Sequence, residues 1–208
     1  MSKQNNIYKN IEMNTQKTCA VKGCTKNRHS LSRYCSTHQH HYYGFGHPLA
    51  YKVTPKDIEV EKDMATDIIN RNESHEGIQR GLEILDKLLL ECAQGVSFAP
   101  YSDYLAILHY QGVTAKEILA TLSALYILQD GQSRLIKSDR HLTFLLGHFV
   151  LRMAKQASRV YGSHRKAIGM YLQDHLGSLC LNISKAAQER ALKRDEALLQ
   201  MTKPLSIE

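Results

Sequence analysis

Three cysteines and a histidine, spaced Cys19-x4-Cys24-x10-Cys35-x2-His38, constrain this chain more tightly than any other feature of its sequence. Residues 17–50 are rich in Gly, Cys, His and Tyr and show no long apolar period, so they cannot bury a core of their own. A segment of that kind folds when a metal supplies the missing free energy. Four nitrogen or sulfur ligands in two close pairs are what tetrahedral zinc requires. Gly23 precedes the second cysteine, where a tight turn is expected, and Cys35 and His38 share one face of a first helical turn. His38 fits best as the fourth ligand. His40, five residues beyond Cys35, lies about 140° around the helix, and His29, His40 and His41 remain the competing nitrogens. Zn2+ is therefore the expected metal, held by Cys19, Cys24, Cys35 and His38. The other two cysteines, Cys92 and Cys180, stand alone in apolar helical segments and read as small core hydrophobes.

Charge divides the chain unevenly. Residues 1–56 carry nine Lys and Arg against the single acid Glu12, and no acid occurs from Met13 to Lys56. Residues 57–100 carry ten acids and four bases, whereas residues 134–166 carry eight bases and one acid. A basic module of this kind suits a polyanionic partner. No apolar run approaches the ~20 residues of a membrane span, and the polar start lacks the apolar stretch of a signal peptide. A cytoplasmic protein without a membrane partner is expected.

After Thr54 the sequence reads as helix throughout. Thr54, Pro55 and Asp57 form a helix start, and that helix should reach about residue 70. A second is expected from about 74, ended by Gly95, and a short one over about 102–110. Thr114 with Glu117 makes a capping-box pattern for the next. A long helix is expected from Ser138 or Asp139 to about Tyr161, and a last one over about 164–200, with a break near Asn182. The expected architecture is mostly α: a flexible lead over 1–16, a knuckle- or treble-clef-like zinc finger over 17–52, and an all-α bundle over 53–208.

The stretch from Cys19 and Gly23-Cys24 through Tyr34-Cys35 and His38 to Gly46-His47-Pro48 resembles a small zinc module common in bacteriophage and mobile-element proteins. That module often accompanies DNA-binding or nuclease domains. The resemblance implies the same four ligands and a nucleic-acid-binding regulator or accessory factor, with DNA favoured over RNA. It covers about a seventh of the chain, and this sequence departs from it: Gln39 replaces the usual Tyr, His47 replaces the usual acid, and residues 41–44 are aromatic and His-rich where the module is basic.

Candidate phosphate contacts are Lys22, Lys26, Arg28 and Arg33 between the ligand pairs. Tyr42, with Tyr43, Phe45 and Tyr51, could stack on unpaired bases, or Tyr42 and Phe45 could pack the finger's small core. His148, Arg152, Lys155 and Arg159 follow helical spacing as a second basic stripe, which Arg165 and Lys166 would extend. Residues 110–118 weakly resemble the entry to a helix-turn-helix, but the apolar run that follows suits a core helix better. Walker, Rossmann, His-Glu-x-x-His and nucleophile-elbow motifs are absent from the sequence, so an enzyme is not expected. The alternatives are a protein-interaction module, a bundle that pairs with a second copy, and a nuclease.

Overall fold

The computed structural model describes residues 3–97, 99–131, 134–155 and 161–201. The chain is mostly helical: α1 (Lys3–Thr15), α2 (Ser36–Phe45), a 3-10 turn (Pro55–Ile58), α3 (Glu59–Arg71), α4 (Glu76–Ala93), α5 (Ser102–Tyr110), α6 (Ala115–Asp130), α7 (Asp139–Met153) and α8 (Gly162–Met201). No named strand occurs among the described residues; the one extended pairing is an isolated bridge between Thr18 and Asn27. No described helix is long and apolar enough to cross a membrane.

Local chemistry sets several helix starts. The Thr54 N–H and hydroxyl donate to the Asp57 carboxylate at 2.7 and 2.6 Å, which starts the 3-10 turn leading into α3. Thr114 caps α6 by accepting the Glu117 N–H at 3.2 Å, and Ser138 caps α7 by accepting the His141 N–H at 3.2 Å. Each satisfies an amide that has no partner inside its helix.

The bundle is organised around α6. Every residue from Ile118 to Leu128 is buried, because α3, α4, α7 and α8 all pack against this helix. That placement makes it a core helix and leaves no exposed face for reading a groove. Along α8, Ile168, Leu172, Leu176, Cys180, Ile183 and Ala187 make the buried stripe, spaced for one face of a helix. Cys92 and Cys180 are free and buried, as small core hydrophobes. Helices α7 and α8 approach closely at two glycines. A Cβ on Gly147 would sit 2.0 Å from the Arg165 carbonyl oxygen, and one on Gly169 would sit 1.9 Å from that of Thr143.

Three expectations need correction. The lead expected over 1–16 carries helix α1, and Asn14 near its end donates to the carbonyls of Ser30 and Ser32, both at 2.7 Å. The helix expected to reach Tyr161 stops at Met153. Ala154 turns extended (ψ 94°), and the next amide, that of Lys155, is taken by the Gln111 side chain at 3.2 Å. The last helix is unbroken at Asn182; two residues on, the Ser184 hydroxyl donates to Asp130 on α6 at 2.7 Å, tying that stretch to the core.

Candidate metal centre

The cysteine-rich segment folds as a short knuckle. Cys19 N–H donates to the Lys26 carbonyl and Arg28 N–H to that of Lys17, both at 2.9 Å. These bonds flank the Thr18–Asn27 bridge and make a narrow ribbon. Its tip is the turn closed by Cys24 N–H on the Val21 carbonyl at 3.0 Å, where Gly23 takes a φ of 80°. A positive φ there is strained for any side chain. The chain then crosses back, with Ala20 N–H on the Arg33 carbonyl at 2.9 Å, and Cys35 becomes the N-cap of α2. His38 therefore emerges from the first turn of α2, beside Cys35.

This path brings Cys19 Sγ, Cys24 Sγ, Cys35 Sγ and one His38 nitrogen within 4.8 Å of one another. His38 Nδ1 lies 3.3 Å from Cys19 Sγ and 3.4 Å from Cys35 Sγ, and Cys24 Sγ lies 4.0 Å from Cys35 Sγ. A tetrahedral zinc site has sulfur–sulfur edges of about 3.8 Å and sulfur–nitrogen edges of about 3.6 Å, given bonds of about 2.3 and 2.1 Å. The donor set thus has the size of a four-coordinate metal site. The Cys35 N–H also donates to Cys19 Sγ at 3.3 Å, which favours a thiolate there. Burial alone would raise the Cys19 thiol. Donors from Val21 and Cys35, with the His38 and Cys24 side chains, outweigh it and hold the thiol at about 6. Cys24 accepts from Lys26, yet partial burial and the neighbouring Cys35 and Cys19 sulfurs push it above its ordinary value. Three sulfurs competing for protons at this distance are the environment that a bound cation relieves.

None of the competing histidines joins this cluster. His29 Nδ1 meets Gln39 Oε1 at 2.9 Å. The His41 ring packs edge-on against Phe45 and Tyr51, at 6.1 and 6.0 Å. His40 is exposed, its ring 6.4 Å from that of His41.

The candidate phosphate contacts separate into two kinds. Lys22, Lys26 and Arg33 are exposed. Arg28 is half-buried and holds the ribbon together, its Nε on the Thr18 carbonyl at 3.0 Å and a terminal nitrogen on Asn14 Oδ1 at 3.3 Å. The second basic stripe does not form as a helical row. Arg152 is exposed in the last turn of α7, Lys155 lies past the end of that helix, and Arg159 is outside the described residues. His148 is mostly covered; burial, then Arg165, Arg152 and Lys52 nearby, push it down to about 4, so it adds no charge near neutral pH.

The sequence reading missed the seam where the finger meets the bundle. Helix α2 packs against α7 and α8. Arg140 of α7 stands 4.3 Å over the Tyr42 ring and donates to the Tyr42 hydroxyl at 2.8 Å. Arg165 of α8 donates to the Gly44 carbonyl at 3.2 Å. Tyr42 and Phe45 thus pack at the seam rather than inside a finger core. The charge counts gave no signal for this seam, since both segments are basic.

No protein-family model, curated protein or solved structure matches the chain. What fold and site define together is a helical bundle with an N-terminal Cys3His cluster suited to a metal ion.

Proposed function

We propose that this chain is a zinc-dependent nucleic-acid-binding protein, acting as a regulator or accessory factor of a phage or mobile element. The observation that supports it is the Cys3His donor set at tetrahedral distances inside a segment free of acids from Met13 to Lys56. Cys19, Cys24, Cys35 and His38 hold the zinc, which supplies folding free energy rather than chemistry. The ribbon and its crossing loop then present Lys22, Lys26 and Arg33 to phosphates. Each phosphate neutralised releases counterions, so affinity falls steeply with salt. DNA is the favoured ligand.

The test has two parts. Elemental analysis of the purified chain should find one zinc per chain, and replacing Cys19 with Ser should lose it. The zinc-loaded chain should bind labelled DNA or RNA with an affinity that falls as salt rises, and C19S should not. One zinc with no binding to any nucleic acid at low salt would refute the functional reading and leave a protein partner as the ligand.

A further inference from the structure

The two most basic parts of this chain are docked onto each other. The finger's segment has no acid, and it sits on α7 and the start of α8, within the stretch 134–166 that holds eight bases and one acid. Such docking brings like charges together, and the seam registers the repulsion. Burial and then Lys137 depress His47, and burial and then Arg152 depress Arg165. Among the described residues the five ion pairs are Lys62–Glu117, Arg71–Asp67, Lys87–Glu91, Lys116–Glu73 and Arg190–Asp67. Two of them join α3 to α6 and to α8, one joins α6 to the loop between α3 and α4, two lie within α3 and within α4, and none uses a residue of the finger or of α7. These pairs do not offset the charge of the basic side, and an external anion would.

Aromatic rings run through the same region. Arg33 lies 5.9 Å from the centre of the Tyr34 ring, Tyr34 and Tyr42 are 5.3 Å apart, and Tyr42 and Tyr43 are 5.6 Å apart. Arg140 covers Tyr42 from the bundle side, so the row passes from finger to α7 without a gap. Three large rings at this seam face solvent: Tyr43 at 62%, Tyr51 at 68% and Tyr161 at 56% exposure. The Tyr43 carbonyl lies 3.0 Å from where a Cβ on Gly162 would stand, so Tyr43 and Tyr161 flank one junction. On the other side Lys52 joins Phe45, His148 and Arg165 around a small cavity of about 10 Å³. A duplex offers exposed tyrosines interleaved with cations no free base face, because its bases are already paired and stacked. The same rings and cations match a strand whose bases are unpaired, since every base offers a face to a tyrosine and every phosphate a charge to a lysine or arginine.

We propose that finger and bundle form one continuous face for single-stranded nucleic acid, which crosses the seam from Arg33 and Tyr43 to Lys52, Lys137, Arg140 and Arg152. The inference rests on the nucleic-acid reading above and adds the kind of strand and the bundle's share of the contact. A strand bound across the seam offsets the repulsion between the two parts, so binding also tightens the docking.

The test uses the full zinc-loaded chain and labelled oligonucleotides of one mixed sequence, as single-stranded DNA, single-stranded RNA and duplex DNA. Lys52, Lys137 and Arg152 are exposed and outside the finger, so K52Q/K137Q/R152Q keeps the zinc site and the Arg140–Tyr42 contact. Its far-UV spectrum should match wild type. The expected result is tighter binding of a single strand than of duplex, with the slope of log affinity against log salt reduced by about two to three in the triple variant. Tyr43→Ala should cost single-strand affinity roughly 5- to 100-fold and leave duplex affinity little changed. The DNA and RNA arms show which sugar is preferred. If K22Q/K26Q weakens binding while the triple variant and Y43A do not, the finger alone is the reader and this inference fails although the function stands. Preference for duplex also overturns it. Absence of any binding overturns both.

Discussion

His141 should lower the stability of this protein as the pH falls below neutral. It is fully buried, its Nδ1 accepts the Lys137 backbone N–H at 3.2 Å, and its Nε2 is a buried nitrogen without a hydrogen-bond partner among the described residues. A protonated imidazole has two donors and no acceptor, so charging the ring would set a donor against the Lys137 N–H. Burial is the larger cause, with His47 and the Lys137 charge adding to it, and together they push His141 down to about 4 from 6.5. The sign follows from proton counts. Below 6.5 the unfolded chain binds a proton that the folded chain refuses, so the stabilisation is present above 6.5 and is lost as pH falls toward 4. Between about pH 7 and about pH 5 the loss from this one group is about 2 kcal/mol. Urea unfolding of wild type and His141→Asn at both pH values isolates it, because Asn keeps an acceptor for Lys137 and does not titrate. Zinc ligands and carboxylates contribute equally to both proteins and cancel in the difference. Wild type should lose about 2 kcal/mol more than the variant. Equal losses, or an imidazole resonance that titrates near 6.5, would refute the reasoning.

Other perturbations test packing and metal. Gly147→Ala places a Cβ 2.0 Å from the Arg165 carbonyl oxygen, so α7 and α8 must separate by more than about 1 Å, at a cost of roughly 1–3 kcal/mol or more in denaturant unfolding. Gly169→Ala acts on the same crossing, and the double variant should lose less than the sum of the two. Leu119, fully buried on α6, should cost about 2–5 kcal/mol when cut to Ala, read from the unfolding midpoint at unchanged slope. Chelation should dismantle the finger and spare the bundle, because the main apolar core starts at Val53 and includes no residue of the knuckle. Far-UV circular dichroism should then lose at most the helix of α1 and α2, and near-complete loss of helix would show that the two parts share one core.

What could be read in advance was whatever neighbouring residues decide between themselves. Thr54 with Asp57, and Thr114 with Glu117, set helix starts through contacts three residues apart, and the sequence displays both. The helix over Ser102–Tyr110 also agrees with expectation, although no side-chain cap starts it. The ligand spacing also carried its geometry, since one knuckle turn and one helical turn suffice to gather four donors. Decisions made over long separations were hidden. The end of α7 is set by Gln111, 44 residues earlier than the amide it captures. His148 had helical spacing with Arg152, yet the finger's arrival covers it, and spacing does not tell a solvated face from a docking face. Helix α1 carries no strong apolar period; among the described contacts Asn14 gives it a place, through the carbonyls of Ser30 and Ser32 and the Arg28 side chain.

Helix α8 has a consequence for how such a chain can change over generations. Its 40 residues span about 60 Å at 1.5 Å per residue. It begins beneath the finger, where Arg165 holds Gly44, and much further along Arg190 reaches Asp67 on α3 at 3.0 Å. Both ends answer to one unbroken screw. Adding or removing a single residue near Gly177 would turn everything beyond it by about 100°, swinging Cys180, Ile183 and Ala187 out of the core or, equivalently, Arg165 away from the seam. Exposed side chains along α8 are free to drift one at a time, but its length between Arg165 and Ala187 is not. Insertions and deletions are tolerated only past Ala187, the last buried residue described on this helix.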